Sequence, residues 1–283
     1  MTLFTRLSKS NPLASTLDWS TMKSWSESKE QGMRKPLAWL CALAPTLLFI
    51  SPSIHAHVRY GSILCQQQGY YCYTVRSNQS WESLWSNPHD RGIVMRVNRM
   101  NTHLWPGEVI AVPNNLSTAD IMDFSPFPHQ MDTHGEKVVI VDPNQHAWGA
   151  YAADGSLLRW GPASLGADFC NDIGKECRTS SGSYRVFTTG DGECYSRKFP
   201  LPDGGAPMPY CMYFSNGEAL HGEPRGLPGY NASHGCVRMY VSDAEWMRYE
   251  FINGPAKDNK FRGTKVVVRP YASNGMDDIE DTY

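Results

Sequence analysis

The chain has 283 residues, a formal net charge of -2 and 41% hydrophobic residues. That length suits two small domains or one domain with appendages, and the balanced charge excludes a broad electrostatic pull toward nucleic acid or anionic membrane. Nine Trp and a 12% aromatic share supply material for a core, so function has to be read from individual sites.

The first elements read as an export segment. Residues 1–32 are polar, Ser-rich and without apolar period, and are expected to be a non-native or disordered leader. Met33-Arg34-Lys35 is a short positive stretch, followed by an apolar run of 14 residues from Leu37 to Ile50 and by Ile54-His55-Ala56. That order predicts a signal peptide over 33–56, cleaved after Ala56, because the run is short of the ~20 residues needed to span a bilayer. Export to the periplasm or cell wall follows, with no stable membrane insertion after cleavage.

Removing the signal, with its Cys41, leaves seven cysteines, at 65, 72, 170, 177, 194, 211 and 236. In an oxidising compartment accessible pairs become disulfides, and an odd count leaves one thiol over. With Cys236 free, the other six allow about 15 pairings, of which 65–72, 170–177 and 194–211 is the simplest sequence-local set.

After a Gln-rich lead (57–70), residues 71–113 read as a compact βααβ unit. Tyr73 to Arg76 is a short strand, Ser80 caps a helix carrying Trp81, Leu84 and Trp85, and Ile93, Val94, Val97 and Met100 have helical spacing. A turn at Trp105-Pro106-Gly107-Glu108 leads to a closing strand, Val109 to Pro113. The opening Tyr-Thr-Val and the ending Pro-Gly-Glu-Val-Ile-Ala-Val-Pro resemble a LysM module, which implies binding of N-acetylglucosamine chains through residues 71–113; a small structural unit with no ligand is the alternative.

Residues 114–135, with Pro126, Pro128 and Gly135, read as a linker. A β-rich domain follows over 136–271. Strands are expected at 137–141, 147–151, 157–160, 184–187, 210–214, 218–221 and 266–268, with hairpin turns at Asp154-Gly155 and Asn216-Gly217. Ser242-Asp243-Ala244-Glu245 is a capping box opening a short helix. Residues 272–283 are an acidic tail.

The chemistry concentrates around Cys236. A free thiol is mostly protonated at neutral pH, and a nearby imidazole is the usual remedy. His234 lies two residues before it, and His221 closes a strand that a Gly- and Pro-rich loop can fold back toward it. Gly235 lets backbone N–H groups approach a developing oxyanion, and Arg238, on the same strand face as Cys236, can clamp a carboxylate. Together these make an acyl-transfer site. Zinc held by His221, His234 and Cys236 is a rival, though the spacing fits no closed site and supplies no fourth ligand; a buried Cys with two packed His is the structural alternative.

The run Ser233-His234-Gly235-Cys236-Val237-Arg238-Met239, with His221 between Ala219-Leu220 and Gly222, resembles the catalytic domain of the YkuD-type L,D-transpeptidases. Thr179-Ser180-Ser181-Gly182 is similar to the family's Thr-Pro-x-Gly, with Ser180 in place of Pro, and Ser164-x-Gly166 fits the segment before it. The resemblance implies a mainly β fold, a sandwich or barrel with a short capping helix, and no cofactor or metal. It implies that Cys236 attacks the diaminopimelate carbonyl of a peptidoglycan stem tetrapeptide and releases D-alanine. The acyl group then passes to an amine, giving a 3→3 crosslink or an anchored protein. His221 accepts the thiol proton, oriented by a carbonyl such as that of Gly222; Gly235, Cys236 and His234 shape the oxyanion site, Ser233 positions the loop, and Arg238 holds the substrate carboxylate. An L,D-carboxypeptidase or endopeptidase shares this acyl-enzyme, and an inactive peptidoglycan-binding protein is the alternative from another class. The departures from the family are the cysteine-bracketed stretches 170–177 and 194–211, which bear on the acceptor.

Overall fold

The computed structural model describes residues 57–272. The leader, signal segment and nearly all of the acidic tail lie outside them. Among the described residues no helix is long and apolar enough to cross a membrane.

The chain begins with α1 (Tyr60–Leu64), in the stretch read as an unstructured lead, and continues into β1 (Tyr70–Thr74), which starts three residues earlier than its sequence predicts. Two short helices follow, α2 (Trp81–Leu84) and α3 (Pro88–Val97), and then β2 (Val109–Pro113), antiparallel to β1. The Ser80 hydroxyl accepts from the Ser83 N–H, and the Ser83 hydroxyl accepts from the Ser80 N–H, a reciprocal capping box that satisfies two donors at the start of α2. Asn87 caps α3, with Pro88 at its first position, where the missing N–H has no cost. Trp81, Val94, Met100, Leu104, Ile110 and Val112 form the unit's core. Cys65–Cys72 fastens α1 to β1.

The remainder holds two open sheets; neither closes into a barrel. One has the order β5-β4-β3-β11-β6, from β3 (Val138–Asp142), β4 (Ala147–Tyr151), β5 (Leu157–Pro162), β6 (Gly182–Arg185) and, last in the chain, β11 (Lys265–Val268). The other runs β10-β9-β8-β7, from β7 (Thr188–Thr189), β8 (Met212–Ser215), β9 (Glu218–Gly222) and β10 (Val237–Met239). Val139, Val141, Trp148 and Ala150 of the first sheet meet Met212, Phe214, Leu220, Val237 and Met239 of the second in one core, which Ala244, Met247 and Phe251 complete from α4 (Val241–Trp246) and the π-turn after it. Residues 114–135 are more than a connection. Phe127 is buried there, and Ile121, Met122 and Phe124 pack with it on the other face of the first sheet, where Val138, Ile140, Tyr151 and Trp160 lie. This explains why β3 is apolar at four successive positions: both of its faces are covered.

Candidate active site

Two parallel strands build the site. β9 and β10 pair with Leu220 opposite Val237 and His221 opposite Arg238. Side chains alternate along a strand, so Leu220 and Val237 enter the core while His221 and Arg238 share the other face. Cys236, one residue ahead of β10, lines a cleft of about 730 Å³ together with His221, Arg238, Glu218 and His234. The disulfides Cys170–Cys177 and Cys194–Cys211 leave Cys236 as the free thiol among the described residues.

His221 is buried, and its Nδ1 lies 2.7 Å from the Gly222 carbonyl oxygen. That carbonyl can only accept, so Nδ1 carries the proton and Nε2 is left with its lone pair. Burial pushes the His221 pKa down to about 4; the Gly222 bond opposes this, and the Arg238 charge adds to it. Burial raises the Cys236 thiol pKa, while the Ala219 N–H and the Arg238 charge pull it back and the Glu218 charge pushes it up further. At neutral pH the resting pair is therefore a thiol and a neutral imidazole, and proton transfer has to accompany attack.

The loop before Cys236 is held internally. The Ser233 hydroxyl donates to the Cys236 carbonyl oxygen at 2.5 Å and accepts from the Gly235 N–H at 3.1 Å. Gly235 has φ of +116°, a conformation that a side chain would strain. The Gly235 N–H, expected to help shape an oxyanion site, donates to Ser233 here.

His234 and Arg238 both have partners within the protein. His234 Nε2 lies 2.9 and 2.8 Å from the two carboxylate oxygens of Asp172, and its ring stacks on Phe199 at 4.4 Å between centroids. Asp172 belongs to the loop closed by Cys170–Cys177, and Phe199 to the one closed by Cys194–Cys211. Both cysteine-bracketed insertions thus converge on the catalytic-loop histidine. Arg238, expected to hold a substrate carboxylate, lies 3.3 Å from the buried carboxylate of Glu223, which Arg225 also contacts at 3.2 Å. Metal-capable atoms gather at Cys170, Asp172 and His234, not at His221, His234 and Cys236, and Cys170 is consumed there by its disulfide.

Asp172, Phe199, Glu218 and Glu223 escaped the sequence reading. Glu218 and Glu223 carried a signal, as acids three residues before and two residues beyond His221. Asp172 and Phe199 arrive from distant loops.

A thiol, an imidazole of fixed tautomer and a guanidinium thus share one cleft of a two-sheet sandwich. Residues 136–268 match the YkuD family model, described as the L,D-transpeptidase catalytic domain, and the chain carries a domain of that family. Comparison with curated proteins finds no match. Among solved structures, the L,D-transpeptidase from Xylanimonas cellulosilytica is 25% identical, with 58% of this chain and 73% of that one covered and a TM-score of 0.43. The Stackebrandtia nassauensis L,D-transpeptidase is 24% identical over 52% of this chain and 62% of its own, at a TM-score of 0.39. An L,D-transpeptidase from Mycobacterium smegmatis is 17% identical over 71% and 92%, at 0.37.

Proposed function

We propose that this protein is a peptidoglycan L,D-transpeptidase in which Cys236 is the nucleophile and His221 its base. The observation that carries the reading is the tautomer of His221: with Nδ1–H fixed on the Gly222 carbonyl, Nε2 is available to take the thiol proton inside the cleft that Cys236 lines. Sγ attacks the diaminopimelate carbonyl of a stem tetrapeptide, forming a C–S bond. The C–N bond to D-alanine then breaks, and the thiol proton travels through His221 to the leaving amine. An amine of an acceptor next attacks the thioester, the C–S bond breaks, and the acceptor's proton returns to sulfur by the same route. Arg238 attracts the donor's free carboxylate, its charge moderated by Glu223. With the Gly235 N–H occupied by Ser233, the Cys236 amide is the backbone donor for the oxyanion, and Ser233 and His234 hold the loop that presents it.

Peptidoglycan is thus the partner, met as stem peptides at the cleft and as glycan chains at residues 71–113, where the exposed Tyr71 and Trp105 offer stacking surfaces. Export to the periplasm or cell wall accords with a substrate that lies there.

Incubation of the protein with disaccharide-tetrapeptide, followed by product masses, tests the reading. Release of D-alanine with a crosslinked dimer is expected; free tripeptide as the only product points to the carboxypeptidase variant, and no D-alanine release contradicts the acyl-enzyme. A donor lacking the disaccharide should show a higher KM, and an unchanged KM contradicts glycan recognition.

A further inference from the structure

The cleft carries one acidic group that the acyl-enzyme chemistry above leaves unused. Glu218 opens β9, directly after the Asn216-Gly217 turn, and lines the cleft with Cys236 and His221. Its Oε1 is seated firmly: the Ser180 N–H and the Ser180 hydroxyl both donate to it, each at 3.0 Å. Its Oε2 is buried and has no hydrogen-bond donor among the described residues. A carboxylate oxygen removed from water without a donor is unfavourable, and its field is poorly screened. The carboxylate also stands close enough to Cys236 for its charge to act on the thiol.

Two features tie this arrangement to the site. Ser180 occupies the position where the resembling family has proline, a residue with neither N–H nor hydroxyl, so both donors to Glu218 come from the residue by which this chain departs. Glu218 also has no cation of its own: Arg238 and Arg225 both contact Glu223, and no basic side chain forms an ion pair with Glu218 among the described residues.

We propose that Glu218, braced by Ser180, is the subsite that recruits the second substrate as a primary ammonium, selecting a cationic amine over water as acyl acceptor. The inference rests on the transpeptidase reading and deepens it. The ammonium R–NH₃⁺ is drawn toward the carboxylate of Glu218 and loses one proton to solvent as it nears the thioester. The resulting R–NH₂ attacks the thioester carbonyl, the C–N bond forms as the C–S bond breaks, and the second proton reaches sulfur through His221. Acceptor and hydrolytic water are thus distinguished by charge, before any contact with the rest of the acceptor.

The test is the partition of the acyl-enzyme in the full chain, loaded with disaccharide-tetrapeptide. Methylamine, present as its ammonium, and hydroxylamine, uncharged at neutral pH, are offered separately, and adduct and hydrolysis products are read by mass. Glu218→Gln should lower the methylamine-to-water product ratio about tenfold, the scale of one lost charge-assisted contact, and leave the hydroxylamine-to-water ratio within about twofold. Ser180→Pro, which removes both donors and tests the seat without touching the carboxylate, should move the ratios in the same direction by a smaller factor. An unchanged methylamine ratio in Glu218→Gln overturns the proposal, as does an equal fall for both nucleophiles, which would mark a purely structural role. If the wild-type chain releases no D-alanine, the acyl-enzyme reading fails and this inference with it.

Discussion

A single backbone carbonyl decides what His221 can do. The Gly222 oxygen fixes the imidazole tautomer, and burial keeps the ring uncharged, so the same contact that orients the base also protects its basic nitrogen. His146 is a second buried histidine, its pKa also pushed down to about 4 by burial, with Nδ1 beside Asn231 Oδ1 at 3.0 Å. Both values lie below the ordinary 6.5, so the unfolded chain binds more protons than the folded one between those limits. Stability from these groups is complete above pH 6.5, declines as pH falls toward 4, and levels off below it. The loss is on the order of 3 kcal/mol for each histidine. Urea unfolding midpoints measured stepwise through that window should fall steadily, and His146→Gln should flatten about half of the fall. A midpoint that holds constant across the window in the wild type contradicts this account.

At the scale of elements, the most consequential difference from the sequence concerns α4. The Ser-Asp-Ala-Glu pattern predicts a capping box, yet the helix starts at Val241, with Tyr240 at its N-cap and no side-chain cap. The Asp243 carboxylate is fully buried and spent elsewhere. Arg96 reaches it through Nη1 and Nη2 at 2.7 Å each, and Arg159 through Nη2 at 2.9 Å. Bidentate, charge-assisted bonds outweigh the ~1 kcal/mol of a helix cap, so the local motif loses to a tertiary one. This triad joins α3, β5 and α4. Asp243→Ala leaves the largely buried Arg96 guanidinium without its anion, and should cost about 3 to 5 kcal/mol in denaturant unfolding. A cost below about 1 kcal/mol would mean that the triad holds nothing together.

The contrast with β3 shows where sequence is a good guide. Its apolar run could be read because a strand covered on both faces has no polar position to confuse the pattern. β9 and β10 were legible through the Asn216-Gly217 turn and through the motif itself. α1 was not: one turn of helix just before a run of glutamines has no period, and its order comes from the disulfide and from packing of Tyr60 and Leu64 on the βααβ unit. The same division runs through the site. His221, Cys236 and Arg238 lie within one stretch of sequence. Asp172, Phe199 and the Ser180–Glu218 contact depend on how far-separated loops fold onto them, which no local spacing encodes.

Taken as a whole, the described chain joins its βααβ unit to the segment that links the two site strands. Tyr60 N–H donates to the Gly229 carbonyl, Asn101 N–H to the Leu227 carbonyl, and the Leu227 N–H returns a bond to Asn101 Oδ1. Arg99 lies buried between the rings of Tyr60 and Trp160, its Nε donating to the Gln145 carbonyl. The loop between His221 and Cys236 is therefore supported from outside the catalytic domain as well as by the two disulfide-closed insertions at His234. On the proposed reading such a site is preorganised: His221, Cys236 and the loop between them are each held by contacts made before substrate arrives. The proposal turns on the nucleophilicity of one thiol. The most direct measurement is the intact mass of the full chain after exposure to a carbapenem, a reagent that acylates the nucleophile of this family. The account predicts one stoichiometric adduct that is absent in Cys236→Ala; no adduct on the wild type, or an adduct that persists in Cys236→Ala, would contradict it.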